Sequence, residues 1–227
     1  LGKNPLHNEV LWNLMWQAFC DFNRHGIFMA ATSGLDIAFW DLKGKALNTP
    51  VRTLLGGSDE PVPCYATGMY FRDDKPEDEM LEELLEEAAG YVAQGYTMLK
   101  VKVGKNIEFD TKLIEAFRSR FPTTQIGADS NHAYNYKEAI RIGRVLEAND
   151  YCWFEEPLSP ENYGDMARLR EQLSVPIAAG ECEQTRYGFE RLSSGACLDI
   201  MQPDIAYCGG ITEFVKINAI ASASHTD

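Results

Sequence analysis

Five polar residues that could carry chemistry recur along the chain at a nearly constant interval. Lys102, Asp129, Glu155, Glu181 and Asp204 are separated by 27, 26, 26 and 23 residues. Each lies at or just past the end of a short apolar run, which is typical of a buried strand. An interval of this length accommodates one strand and one helix, so the spacing predicts one polar residue at the same end of five successive strands.

The elements that must position these residues alternate along the chain. Alternating strands and helices predict a parallel sheet with crossover helices. In a parallel barrel, the carboxyl ends of the strands form the face that carries active sites. A doubly wound open sheet is the alternative, but it would not place five consecutive strand ends around one point, and no glycine-rich phosphate loop follows the first strand. We therefore predict an α/β fold, a modified (β/α)-barrel of the TIM type.

Two helices are expected first, followed by six strand–helix units. Composition changes near Gly56, which marks the boundary between these parts. Six units do not close an eight-stranded barrel, so two further units are expected beyond this sequence. The predicted helices are 5–19, 27–46, 77–94, 107–121, 136–148, 163–173, 185–194 and 210–224, and the predicted strands are 63–71, 97–103, 125–128, 151–155, 176–179 and 198–202.

Three of the recurring residues are carboxylates, from three adjacent predicted strands. Asp129, Glu155 and Glu181 would repel one another unless a cation neutralised them. Oxygen ligands on a rigid frame suit Mg²⁺. Each acid alone could be a solvated loop residue, but their shared position in the repeat favours a magnesium site.

Two lysines stand two residues apart on the second predicted strand. Alternation along the strand points Lys100 and Lys102 to the same side. Their apolar neighbours Leu99, Val101 and Val103 would then face the helices, which favours an inward direction for the lysines. Two ammonium groups held close together disfavour each other's charge, which predicts a lowered pKa and a lysine that can act as a base.

Composition excludes several classes of partner. The formal net charge is −13, which argues against binding to nucleic acid or to anionic membrane surfaces. No run of about 18 apolar residues predicts a membrane span, and the first residues lack a signal-peptide pattern. The six cysteines are scattered, as in a reduced, cytoplasmic protein. Because the chain begins with Leu1, it is expected to start inside a longer gene product.

The ordered set of motifs resembles the mandelate racemase group of the mandelate racemase/muconate lactonizing enzyme family, in the enolase superfamily. The resemblance covers essentially the whole chain, and the order of the motifs makes it specific. The segments that carry it are SGLDIAFWDLKGK at 33–45, LLGG at 54–57, the Lys100–Lys102 pair, DSN at 129–131, WFEEP at 153–157, AGE at 179–181 and QPD at 202–204 followed by Gly209-Gly210.

The resemblance implies a capping domain packed on a barrel. Residues 1–57 would be the latter part of the cap, without its N-terminal part, and residues 58–227 would be the first six βα units. Lys102 resembles the base on one face of the substrate, with Lys100 as its partner. Asp204 resembles the acid that orients a catalytic histidine on a seventh strand. The implied magnesium ligands are Asp129, Glu155 and Glu181, with Glu156 behind them.

The implied reaction is Mg²⁺-dependent removal of the proton α to a carboxylate, which gives an enediolate. Dehydration of a sugar acid, an aldonate or aldarate, is the leading prediction, because Asn131 and His132 suit a polyhydroxylated ligand; simple packing is the alternative for His132. Racemisation or epimerisation of a 2-hydroxy acid is the second possibility, and cycloisomerisation is less favoured. A non-catalytic or truncated relative is the alternative from another class. The expected partner is a small carboxylate, and a homo-oligomer is expected.

Overall fold

The computed structural model describes residues 2–72 and 74–226. Leu1 and Asp227, the outer bounds of the predicted domains, lie outside these residues. The helices are α1 (Asn8–Phe19), α2 (Ile27–Ala46), α3 (Val51–Leu54), α4 (Glu77–Ala93), α5 (Ile107–Arg120), α6 (Tyr136–Ala148), α7 (Tyr163–Gln172), α8 (Thr185–Ser194) and α9 (Gly210–Ala223). The strands are β1 (Ala66–Thr67), β2 (Met98–Lys102), β3 (Gln125–Asp129), β4 (Phe154–Glu155), β5 (Ile177–Ala179) and β6 (Ile200–Met201).

The strands form one sheet in the order β1-β2-β3-β4-β5-β6, and each pair from β1 to β5 is parallel. Sequential order without a switch point is the order of a (β/α)-barrel, and not that of a doubly wound sheet. The predicted fold class is therefore confirmed. The strands β1, β4 and β6 are shorter than predicted, because an apolar run predicts burial and not how many residues have a hydrogen-bonded neighbour.

The chain divides into two compact units. One contains Val62–Ala179 and Gly195–Ile200, and we call it the sheet unit. The other contains Leu1–Pro61, Gly180–Ser194 and Met201–Asp227, and we call it the helical unit. The predicted boundary near residue 57 between a cap and a barrel stays a prediction.

Both faces of β2 are buried, as is usual for a strand inside a parallel sheet. Successive residues Leu99, Lys100 and Val101 on β2 are all buried. The covering helices have clear start signals. Asn135 accepts the backbone N–H groups of Lys137 and Glu138 at the start of α6, and the Glu138 side chain accepts the Asn135 N–H in return. These caps satisfy backbone donors that a helix start leaves unpaired.

The helical unit is held by buried polar contacts between helices distant in sequence. Asp36, fully buried on α2, accepts the backbone N–H of Thr212 at 2.8 Å and its hydroxyl at 2.6 Å, in the first turn of α9. A carboxylate at this place also meets the positive end of the helix dipole. Gly210 has φ of +84°, and a Cβ there would lie 2.6 Å from that of Asp36, so glycine is required.

None of the helices within residues 2–72 and 74–226 combines the length and the apolar character needed to cross a membrane.

A glycine in the middle of β3 gives a direct test of the packing. A Cβ on Gly127 would overlap the Trp153 indole. Gly127→Ala is expected to lower the free energy of unfolding by about 1–3 kcal/mol, the usual cost of overpacking a core. Gly90→Ala in α4 is the control, because a Cβ there meets nothing within 4 Å; it should raise stability by about 0.5–1 kcal/mol. Urea unfolding measures both, and a neutral Gly127→Ala variant would contradict the packing.

Candidate active site

Strand register brings the charged residues of the sheet unit to one level. Lys102 on β2 is aligned with Asp129 on β3, and Asp129 is aligned with Glu155 on β4. Parallel strands have their carboxyl ends at the same edge, so three successive strand ends each present one charged side chain there. Lys100, two residues before Lys102, faces the same way and is aligned with Gly127.

The four side chains form a buried network of ion pairs, which we call the lysine–carboxylate cluster. Lys100 Nζ lies 2.6 Å from Glu155 Oε1 and 3.1 Å from Asp129 Oδ2. Lys102 Nζ lies 2.6 Å from the same Asp129 oxygen. The Asp129 side chain is fully buried, and that of Lys102 is 14% exposed. One ammonium group therefore bridges two carboxylates, while the other retains some access to solvent.

The lysines and carboxylates of this cluster stabilise one another's charged forms. Burial opposes the charged form of Lys100, but the hydrogen bond and charge of Glu155 and the charge of Asp129 outweigh it, so the pKa of Lys100 lies above its ordinary value. Burial likewise acts against ionised Asp129, but Lys102 and Lys100 hold the pKa of this carboxyl below its ordinary value. The predicted lowering of the Lys100 pKa is wrong here, because the carboxylates lie closer to it than the prediction assumed.

Comparison with known families agrees with this arrangement of strands and helices. The profile of the family described as "Enolase C-terminal domain-like" matches residues 83–227. That of "Mandelate racemase / muconate lactonizing enzyme, N-terminal domain" matches residues 1–56. The chain belongs to the mandelate racemase/muconate lactonizing enzyme family of the enolase superfamily.

Individual members of the family resemble the chain over nearly all its length. It is 40% identical to an arabinonate dehydratase from Saccharolobus solfataricus, over 94% of this chain and 57% of the relative. The crystal structure of the 3,6-anhydro-D-galactonate cycloisomerase from Zobellia galactanivorans superposes with a TM-score of 0.93 and 47% identity, over 100% of this chain and 63% of that one. An L-talarate dehydratase from Polaromonas sp. JS666, complexed with Mg and L-glucarate, gives a TM-score of 0.90 and 28% identity, over 99% and 62%. The chain thus spans about three fifths of the length of these relatives.

The carboxylates of the cluster have the donor chemistry of a site for a hard divalent cation. Asp129 and Glu155 offer carboxylate oxygens, which are the ligands that Mg²⁺ prefers. Lys100 Nζ contacts one oxygen of each, at 3.1 and 2.6 Å, so both carboxylates already come within reach of one positive centre. The residues present therefore fit a magnesium ion in this family member.

Two of the predicted site residues belong to the helical unit. Glu181 lies two residues after β5, and Asp204 lies three residues after β6. Asp204 is exposed, and its Oδ1 accepts the backbone N–H of Ala206 at 2.7 Å. Their roles as third metal ligand and as the acid of a dyad stay predictions.

Asn131 and His132 follow β3, and both adopt a left-handed backbone conformation, with φ of +42° and +65°. Asn131 Oδ1 accepts a hydrogen bond from Lys102 Nζ at 2.6 Å, and its Nδ2 donates to Glu156 Oε2 at 3.2 Å. His132 instead contacts the Leu158 carbonyl oxygen through Nδ1, at 2.8 Å. Because a carbonyl oxygen only accepts, Nδ1 carries a proton. Binding of substrate by these two residues stays a prediction.

Buried Glu156 lies behind the cluster. Its Oε1 is 3.2 Å from His132 Nε2. That oxygen makes no hydrogen bond within the described residues. The other oxygen of Glu156, Oε2, accepts a hydrogen bond from Asn131 Nδ2 and so holds Asn131, which in turn holds the Lys102 ammonium group.

Aromatic residues complete the cluster, and the contact of Trp153 with Glu155 was not predicted. The Trp153 indole N–H donates to Glu155 Oε2 at 2.9 Å, and the Tyr65 ring packs on the same indole with centroids 5.4 Å apart. Lys100 and Lys102 lie over the rings of Tyr65 and Tyr70, at 5.7 and 5.6 Å. The two-residue spacing of Trp153 and Glu155 on the predicted strand 151–155 was the available signal.

The direction of the Asp129 pKa predicts how stability depends on pH. A carboxyl whose pKa is depressed by folding contributes stability that is fully present above its unfolded value, about 3.9, and that is lost as the pH falls through the folded pKa. Asp129→Asn leaves two lysines without this partner, so it should lower the free energy of unfolding by about 3–5 kcal/mol at pH 7. This loss of stability should be the same at pH 5 and smaller near pH 3.

The measurement is urea unfolding at the three pH values, with EDTA present throughout. Asp41→Asn is the matched control, because Asp41 makes a solvent-exposed pair with Lys45. Such pairs are worth about 0.5 kcal/mol, so its effect should be small at every pH. A cost for Asp129→Asn that did not change between pH 7 and pH 3 would refute the ion-paired state of this carboxyl.

Proposed function

We propose that this protein removes the proton α to the carboxylate of a sugar acid and then expels an oxygen substituent from the β carbon. The observation that carries the proposal is the lysine–carboxylate cluster itself. A lysine that keeps some access to solvent lies beside two buried carboxylates at three adjacent strand ends. Few structural roles require such a costly arrangement of charges.

Lys102 is the group that we assign to proton transfer. Its Nζ is held at 2.6 Å by both Asp129 Oδ2 and Asn131 Oδ1, so its position is fixed from two sides. Proton transfer requires a base within about 3 Å of the proton, and a positioned side chain typically contributes 10²–10⁴-fold. Lys100, more deeply buried, bridges the carboxylates and is assigned to charge balance beside Lys102.

Magnesium is the cation that we propose for Asp129 and Glu155, with Glu181 as the third ligand. When bound, the ion would offset the negative charge that develops on the substrate carboxylate as the α-proton leaves. The Trp153 N–H fixes Glu155 Oε2, which limits rotation of that carboxylate. The Mg complex of the L-talarate dehydratase supports the choice of metal.

The leaving group decides between dehydration and a second candidate. Loss of a β-hydroxyl as water makes the protein an acid-sugar dehydratase, the activity named for the Saccharolobus solfataricus relative. Loss of a ring ether oxygen from the same carbon opens the ring without release of water, so the product is an isomer. The sequence motifs alone made cycloisomerisation the less favoured reaction. The 47% identity to a 3,6-anhydro-D-galactonate cycloisomerase now supports it as the second candidate. Both reactions begin with the same proton transfer.

The remaining assignments belong to the same proposal. We place the chain in the mandelate racemase group, with residues 1–57 as the latter part of a cap and residues 58–227 as six βα units. Asp204 is assigned as the acid that orients a histidine on the opposite face of the substrate. A racemase lacks the elimination step, so the reaction products distinguish it from the two eliminations. A homo-oligomer is part of the proposal, supported by the resemblance alone.

A screen of aldonates, aldarates and their anhydro forms tests the function. Elimination leaves a 2-keto product, which semicarbazide converts to an absorbing semicarbazone. We expect a product with Mg²⁺, none with EDTA, and a rate at least about 10²-fold lower for Lys102→Met. Lys112→Met is the control, because Lys112 is an exposed lysine that pairs with Asp78; its rate should equal that of the wild type. Unchanged turnover in EDTA, or in Lys102→Met, would overturn the proposal.

A further inference from the structure

A buried acid of the sheet unit lies outside the lysine–carboxylate cluster. Asp110 is in the first turn of α5 and is fully buried. Burial raises the pKa of this carboxyl, because the ionised group loses its water there. Burying such a charge is costly unless it has hydrogen-bond partners, and those of Asp110 come from two separate loops.

The start of α5 does not need Asp110 as a cap. The Asn106 side chain already accepts the backbone N–H of Phe109 at 2.9 Å, which is the usual contact of an N-cap residue. A negative charge in the first turn also meets the positive end of the helix dipole, but exposed Glu108 supplies one there as well. The helix start therefore leaves most of the contacts of Asp110 unexplained.

One side of the Asp110 carboxylate holds the loop that follows Lys102. Its Oδ1 accepts the backbone N–H of Lys105 at 3.1 Å. The backbone N–H groups of Gly104 and Asn106 also stabilise its charge. These three residues lie two to four positions after Lys102. A carboxylate that accepts from several neighbouring N–H groups fixes the path of the backbone between them.

The other side of the carboxylate holds the loop that follows β3. Tyr134, which is 7% exposed, donates its hydroxyl hydrogen to Asp110 Oδ2 at 2.7 Å. The Tyr134 ring also packs against that of Phe154 on β4, with centroids 6.1 Å apart. Tyr134 lies three residues after Asn131, the residue that accepts a hydrogen bond from Lys102 Nζ. One carboxylate thus joins the segments next to both partners of this bond.

The two loops touch each other directly. Gly104 has φ of +109°, and a Cβ there would lie 2.6 Å from that of Ala133 and 3.0 Å from the Ser130 carbonyl oxygen. Glycine is therefore required at this contact, for its backbone conformation and for the close approach. The contact prevents the loops from coming closer, and the hydrogen bond between Asp110 and Tyr134 prevents them from moving apart.

We propose that Asp110 and Tyr134 are positioning residues for Lys102, and that their hydrogen bond sets the distance from Lys102 Nζ to Asn131 Oδ1. The inference rests on the function proposed for Lys102, and it adds two residues that act from outside the cluster. Their effect passes through the backbone of the two loops. Displacement of a reacting group by about 1 Å costs up to about 10²-fold in rate, so a small shift of either loop would lower turnover.

Tyr134→Phe tests the proposal, because it removes the hydroxyl and keeps the ring. Tyr151→Phe is the matched control, since Tyr151 is 5% exposed in the same unit and donates its hydroxyl hydrogen to the Ile114 carbonyl oxygen at 3.1 Å. Each variant loses one buried hydrogen bond, so both should lower the urea midpoint by a similar amount. We expect only Tyr134→Phe to lower kcat, about tenfold, with KM unchanged, since the lost bond positions the base and not the substrate. Asp110→Asn should act in the same direction, and adding Tyr134→Phe to it should lower kcat no further.

The Lys102 ammonium group gives a second readout that needs no substrate. Because two acceptors hold it, its protons should exchange slowly enough with water to give a heteronuclear NMR signal, which its loss in Lys102→Met assigns. We expect this signal to be broadened or lost in Tyr134→Phe and retained in Tyr151→Phe.

Three results would overturn the positioning role. They are a wild-type Lys102 signal in Tyr134→Phe, an equal kcat in the two tyrosine variants, and a Lys102 signal that is missing from the wild-type protein. If the wild-type protein converted no acid, the proposed function would fail, while the Lys102 signal would still decide the positioning.

Discussion

The balance of two lysines against two buried carboxylates is the constraint on which the rest of the sheet unit depends. Each of these charges would be costly to bury alone, and together they are tolerated because every one has an opposite partner at hydrogen-bonding distance. Lys100 contacts Glu155 and Asp129, and Lys102 contacts Asp129 and Asn131. A shift of one residue in the β2–β3 register would turn the aligned side chains to opposite faces and leave each charge unpaired.

This constraint explains several residues that otherwise have no common purpose. Gly127 leaves room beside Lys100, and the Trp153 indole fills that room and donates to Glu155. Tyr65 covers the indole. Buried Glu156 holds Asn131, which in turn holds Lys102. The neighbours of the cluster thus fix the orientation of its members, as the proposed transfer of one particular proton requires.

Much of the fold could be predicted from the sequence, because the interval between strand-end polar residues sets the alternation of strands and helices. The helix predicted at 136–148 is α6 as found, since Asn135 and Glu138 mark its start and Ala148 ends its periodic pattern. The extents of β1 and β6 could not be predicted, because they depend on which residues have a paired neighbour.

The candidate site was predicted in part. Strand alternation indicated that Lys100 and Lys102 share a face, and the repeat aligned Asp129 with Glu155. The direction of the Lys100 pKa was wrong, because it depends on distances to Glu155 and Asp129 that spacing does not contain. The contact between Gly26 and the Gln184 side chain was also beyond reach of the sequence, since it joins residues more than a hundred positions apart.

Proton transfer at the lysine–carboxylate cluster is the central claim, and exchange of the α-proton in deuterated water tests it most directly. A sugar acid that the protein converts is incubated with Mg²⁺ in D₂O, and NMR follows the α position of the remaining substrate and C3 of the 2-keto product, which takes up solvent deuterium. We predict that the wild-type protein cleaves the α C–H bond, with a primary isotope effect on turnover of α-deuterated substrate, and that Lys102→Met does not cleave it. Cleavage of the α C–H bond at the wild-type rate by Lys102→Met would contradict the account.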